Sequence, residues 1–214
     1  MRSCLRLLAV TTLWSVTFVT GTTAYADVPR TPDGNGVIVA SGWSGAAPVQ
    51  LEIFCDPQCP YCAQLESTYG DRFAGDLASG RLAVTYRWLT FLDAKHHNDV
   101  SARISNALFL AADPTTSATA YQALVQDLYR HQSPDGPNNS DIAAMARESG
   151  VAAVVADRIA AGDYAVDAAA LDEANRARLD EVSPADPGTP TVYDLKTNRV
   201  VDIQDPGWLD ALSS

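Results

Sequence analysis

The stretch Phe54-Cys55-Asp56-Pro57-Gln58-Cys59-Pro60-Tyr61-Cys62 joins the end of an apolar run to the start of a helical pattern. A Cys-X-X-Cys unit that opens a helix places its first thiol among unpaired backbone N–H groups at the positive end of the helix dipole, where the thiolate is favoured. Cys62, three residues on, falls on the same helical face and is placed to attack a mixed disulfide on Cys59. The residues therefore predict a redox site with Cys59 attacking and Cys62 resolving. Pro60 suits the first helical turn, where its missing N–H costs nothing. Tyr61, Leu65, Tyr69, Phe73 and Leu77 continue the helix at four-residue spacing, with Gly70 as a point of weakness.

Upstream, Val37 to Ala40 and Val49 to Phe54 read as strands around a Gly-rich turn at 42–45, and Leu82 to Leu92 reads as a third strand. From about 100 to 182 the chain turns alanine-rich, with helical periodicity and a clear stripe at Tyr121, Leu124, Val125, Leu128 and Tyr129. Breaks at Asp113-Pro114, 133–139, Gly150 and Gly162 divide it into four or five helices, one of them capped by Ser140. Strand signals return at Thr191 to Leu195 and Arg199 to Ile203, joined by a turn at 196–198, and a short helix follows from Pro206 to Leu212. This order predicts an α/β domain interrupted by a helical insertion.

Residues 1–26 carry Arg2 and Arg6, an apolar stretch from Leu7 to Val19, and Ala24-Tyr25-Ala26 as a cleavage site, so they read as a signal peptide. The expectation is an exported protein of the periplasm, cell envelope or medium, membrane-anchored if that segment stays in place. The mature portion, 27–214, is long enough for one substantial core. A formal net charge of −11 argues against nucleic acid or anionic lipid as partner. The remaining cysteines, Cys55, Cys59 and Cys62, are too close together to staple distant parts of a fold, which points to chemistry. Neither a metal nor any other cofactor is expected, since no helical His pair at ligand spacing accompanies them.

Cys55 reads as a small buried residue at a strand end, with a part in tuning the site as the alternative. His96 and His97 read as exposed loop residues, and His131 as a partner for a helix C-terminus. Trp43, Trp88 and Trp208 read as core or edge packing. For Asp56 two roles stand equal: proton transfer at the thiols, or hydrogen bonding to free N–H groups at the helix start.

Three features in this order resemble the DsbA-like branch of the thioredoxin-fold superfamily of bacterial exported proteins. They are the strand running into Cys59-Pro60-Tyr61-Cys62 with Asp56 just ahead, the helical block after a β-α-β unit, and Gly188-Thr189-Pro190-Thr191 before the last hairpin. The resemblance implies a thioredoxin fold (parts at about 36–99 and 183–214) with an all-helical subdomain inserted at about 100–182. It further implies a thiol:disulfide oxidoreductase with a Cys59–Cys62 redox disulfide and Pro60 and Tyr61 as its active-site dipeptide. A cis Pro190 with Thr189 would then present backbone to a bound peptide.

Implied partners are exported cysteine-containing proteins and a membrane redox protein, with the chain itself a monomer. The leading reading is oxidation of cysteine pairs in exported proteins. Alternatives are a reductase or isomerase kept reduced by a membrane partner, and a peptide-binding chaperone module with a structural disulfide. Two departures from the family pattern stand out. The buried acid that relatives carry six residues ahead of the first cysteine is Ile53 here, Glu52 facing the other side of its strand, and a histidine found in DsbA is Tyr61. The first leaves Asp56 or water to take the acid's place in proton transfer, and the second predicts a Cys59 that is less acidic and a disulfide that is less oxidising than in DsbA.

Overall fold

A computed structural model describes residues 28–212. The expected signal peptide, residues 1–26, lies outside them, and among the described residues no helix is long and apolar enough to cross a membrane. Five strands form one mixed sheet: β1 (Val37–Val39), β2 (Val49–Cys55), β3 (Leu82–Trp88), β4 (Thr191–Asp194) and β5 (Arg199–Val200), in the order β1-β3-β2-β4-β5. The strand that leads to the cysteines is the central one. It pairs in parallel with β3, from Val49 opposite Leu82 to Cys55 opposite Trp88, and antiparallel with β4, ending at Phe54 opposite Thr191.

Helix α1 (Pro60–Ala78) makes the crossover from β2 to β3. Gly70 does not break it. A Cβ there would stand 2.5 Å from Gln126 Nε2, so the glycine permits the close approach of the later helix that carries Gln126 rather than a bend. The third strand stops at Trp88, short of the expected Leu92, because residues 91–96 form α2 (Phe91–His96). Side-chain acceptors turn the chain there: Asp172 accepts from the Thr90 N–H at 2.7 Å and Asp56 from the Leu92 N–H at 3.0 Å.

Between 100 and 182 lie five helices: α3 (Val100–Ala111), α4 (Ala118–Arg130), α5 (Asn139–Glu148), α6 (Ala153–Ala161) and α7 (Ala168–Val182). The cap of α5 is Asn138 and not Ser140. Its side chain accepts from the N–H groups of Ser140 and Asp141, and Asp141 returns the bond to the Asn138 N–H at 3.1 Å, closing a capping box. The chain ends in the β4–β5 hairpin and α8 (Trp208–Ala211). The architecture is thus a thioredoxin fold carrying an inserted helical block.

Alternation along β2 sets which residues face which layer. Leu51, Ile53 and Cys55 join the main core with Cys59, Cys62, Leu65 and Phe73, whereas Phe54 packs with Leu89 and Leu179 on the other face. Glu52 lies on that second face, as its position in the strand predicts, held by Arg87 at 2.7 Å and by Arg178 of α7 at 3.1 Å. Trp88 is buried, stacks on Tyr86 at 4.9 Å between ring centroids, and donates to the Tyr121 hydroxyl at 3.1 Å. Trp208 is buried against Tyr69. Trp43 departs from the packing expectation: it is 66% exposed, its ring lying over Gly45 in a short 3-10 turn.

Candidate active site

The site forms at the carboxyl end of the central strand, where backbone groups leave the sheet unpaired. Cys59 is the N-cap of α1 and Pro60 its first residue. The Cys59 N–H donates to the Asp56 carbonyl at 2.9 Å and its own carbonyl accepts from Ala63 at 3.1 Å, so the cysteine sits in a closed turn entering the helix. Cys59 and Cys62 are both buried free thiols, while Tyr61 between them stands 67% exposed.

The Thr189–Pro190 bond is cis, and the Cys59 thiol donates to the Thr189 carbonyl at 3.3 Å. Pairing of Phe54 with Thr191 carries this loop, distant by 130 residues, to the cysteine. Thr191 holds it by donating to the Gly188 carbonyl at 2.7 Å. A groove of about 380 Å³ runs beside the loop, lined by Tyr61, Leu65, Tyr69, Thr189, Pro190 and Ile203. On the other side of Pro60, a cleft of about 990 Å³ is lined by Gln58, His96, His97, Arg103 and Gln132. His96 and His97 are exposed as expected, yet they border the site, His96 reaching Gln58 Oε1 at 3.1 Å. His131 accepts no role there. It ends α4, its ring nitrogen 2.9 Å from the Asp127 carbonyl.

Contact with the Cys62 thiol and burial push the Cys59 thiol up, opposed by the Thr189 side chain and the Cys62 N–H. The bond from Cys59 to the Thr189 carbonyl is one that the protonated thiol makes and the thiolate expected from the helix terminus does not. The two opposing groups are the ones that would hold a thiolate formed during exchange. Cys62 is pushed up as well, by burial first and then by the neighbouring Cys55 thiol.

Asp56 is fully buried, and its carboxylate accepts from Ser101 Oγ at 2.5 Å, the Gln58 N–H at 2.9 Å and the Leu92 N–H at 3.0 Å. Burial nonetheless pushes its pKa up to about 6. The loop around it is tied to the helical block at several further points. Gln132 donates to the carbonyls of Pro57 and Cys59 at 2.8 and 3.1 Å, Tyr129 donates to the Asp56 carbonyl at 3.3 Å, and the Gln58 side chain bonds Ser101 of α3 together with Asp93 and Asn98 just ahead of the block.

One buried group escaped sequence reasoning. Glu66, one turn after Cys62, has its carboxylate fully enclosed, with Tyr86 OH at 2.9 Å from Oε1 and Gln122 Nε2 at 2.8 Å from Oε2. Tyr86 OH also lies 2.7 Å from Gln122 Oε1, which closes a ring of three contacts. Each contact needs a hydrogen, and the phenol and the amide supply one apiece whichever way the amide is turned. The third must come from Glu66, so the ring is complete only when that carboxyl is protonated. Burial acts in the same direction and raises its pKa to about 7. A glutamate four residues after a buried cysteine on the inward stripe was the available signal.

A family model described as thioredoxin matches residues 41–194. The chain is 31% identical over 184 residues to the serine/threonine-protein kinase PknE of Mycobacterium tuberculosis, a match that takes in 83% of this chain and 31% of that protein. It therefore spans about a third of the length of the curated relatives it matches. Among solved structures it is similar to the MdbA thiol-disulfide oxidoreductase of Corynebacterium matruchotii, with a TM-score of 0.68 at 22% identity over 83% of this chain and 88% of that one. It is also similar to reduced DsbA of Mycobacterium tuberculosis, with a TM-score of 0.64 at 23% identity over 84% and 91% of the two chains. Fold, site geometry and family model agree, and the chain belongs to the thioredoxin family.

Proposed function

We propose that this chain is an exported thiol–disulfide oxidoreductase that oxidises cysteine pairs of exported proteins through Cys59 and Cys62. The observation that carries the reading is the convergence on one thiol, at a helix N-terminus, of a second thiol three residues on and a cis-proline loop whose carbonyl lies 3.3 Å away. A client thiolate attacks Cys59 Sγ, the Cys59–Cys62 bond breaks, and the electron pair leaves with Cys62. The client's second thiolate then attacks its own sulfur in the mixed disulfide and releases Cys59 as thiolate. Thr189 and the Cys62 N–H hold that leaving sulfur. Backbone beside Pro190 pairs with the client peptide, and Tyr61 offers it an exposed aromatic face. Asp56 serves as the brace of the loop rather than as a proton carrier, because its three accepted bonds all go to loop and helix groups.

A second reading, a reductase or isomerase kept reduced by a membrane partner, has one observation in its favour. The Cys59 S–H donates to the Thr189 carbonyl at 3.3 Å, which favours the protonated form; a thiol stabilises the reduced pair less than a thiolate would and so lowers the potential. Equilibration of residues 27–214 in graded glutathione buffers decides between them. A potential near roughly −120 mV identifies a disulfide donor, and one near roughly −270 mV identifies a reductant. A Cys59–Cys62 pair that fails to exchange with glutathione at all overturns both.

A further inference from the structure

Cys55 stands at the last position of β2, as fully buried as Cys62 and on the strand face that carries Ile53 into the main core. Three buried thiols are thereby brought into one core cluster. Cys59 lies against Thr189, and Cys62 has both of the other thiols, Cys55 and Cys59, as neighbours. The Tyr129 phenol adds a polar partner beside the Cys55 sulfur, while its hydroxyl also reaches the Asp56 carbonyl at 3.3 Å. A cysteine that only filled space at a strand end would not need to meet the resolving sulfur.

We propose that Cys55 is a third redox-active cysteine, which takes the Cys62 sulfur from Cys59 and moves the active-site disulfide into the core. This inference rests on the proposed exchange at Cys59 and Cys62. Starting from the Cys59–Cys62 disulfide, Cys55 gives up its proton and attacks Cys62 Sγ. The Cys55–Cys62 bond forms, the Cys59–Cys62 bond breaks, and the electron pair leaves with Cys59, which takes up the proton. Three sulfurs share the same electrons before and after, so no outside oxidant or reductant takes part. The product keeps its disulfide out of reach of clients and presents Cys59 as a free thiol. In that form the protein attacks client disulfides, and Cys62 is not available to release the mixed disulfide.

The test uses residues 27–214, oxidised with excess oxidised glutathione, desalted, and incubated under native conditions with N-ethylmaleimide. Chymotryptic cleavage after Tyr61 and a protease cutting ahead of Asp56 separate the three cysteines for mass spectrometry. The expected result is maleimide on Cys59 with Cys55 bonded to Cys62, and no label on the oxidised Cys55→Ala variant. Absence of label, or label on Cys55 with Cys59–Cys62 intact, overturns the internal transfer and leaves the proposed oxidoreductase standing. Three free thiols after glutathione treatment overturn that function and this inference together. The wild-type map alone decides the matter if the variant does not fold.

Discussion

Replacing Glu66 with glutamine should make the protein more stable at alkaline pH and leave it little changed in acid. A glutamine amide supplies the third hydrogen that the ring with Tyr86 and Gln122 requires, so it imitates the protonated acid at every pH. The wild-type carboxyl, by contrast, is raised by burial from 4.5 to about 7. The folded state thus binds this proton more tightly than the unfolded chain does. Its contribution is fully present below pH about 4.5 and is lost as pH rises through about 7. At about 1.4 kcal/mol per pH unit, the shift amounts to about 3 kcal/mol.

Urea denaturation of both proteins from pH 4.5 to 8.5, with all thiols kept reduced, reads this directly. With a slope of about 2 kcal/mol/M for a domain of this size, the variant midpoint should exceed the wild type by roughly 1.5 M at pH 8.5 and by little at pH 4.5. Taking the difference between the two proteins removes the parallel contribution of Asp56. Superimposable pH profiles would refute the protonated ring.

Replacing Cys59 with serine should abolish turnover in both dithiol oxidation and disulfide reduction assays while changing stability by less than about 1 kcal/mol; surviving turnover removes the assigned nucleophile. Ser101→Ala withdraws the hydroxyl from a fully buried carboxylate and should cost about 1–3 kcal/mol in urea denaturation, with Asp56 titrating higher than its present value of about 6. Asp56 adds its own pH dependence. Its pKa, raised by burial, gives a contribution that is present below pH about 4 and lost as pH rises through about 6, so an Asp56→Asn variant should flatten the profile in that window, as checked by thermal melts. Thr189→Val should push the Cys59 thiol further up, read as slower alkylation at a given pH, because a group that opposes the upward shift is gone.

The parts of this fold that repeat locally were readable from the chain. The strand from Val49, the proline at the first turn of α1 and the alternation that sends Glu52 away from Cys55 all follow from short-range patterns. The boundaries set by distant partners were not. Leu82 to Leu92 has strand composition throughout, yet the chain bends after Trp88 because Asp56 and Asp172 bond its N–H groups from other elements. Asn138 displaced Ser140 as a cap through a reciprocal bond that depends on Asp141. Glu66 escaped notice because a glutamate on a helix reads as solvent-facing, and its partner Gln122 lies 56 residues on. The meeting of Cys59 with Thr189 rested on resemblance to a family, and no periodicity reaches across 130 residues.

The ties from the helical block to the loop at 56–59 make that block a jig for the chemistry. Ser101, Tyr129 and Gln132 fix the turn from positions 45 to 75 residues away in the chain. A Cys-Pro-Tyr-Cys segment transplanted into a bare thioredoxin core would arrive without those clamps, and its first sulfur would no longer be aimed at the Thr189 carbonyl. Inherited changes at Ser101 or Gln132 would accordingly behave as lesions of the redox centre, although nothing in the motif itself had altered.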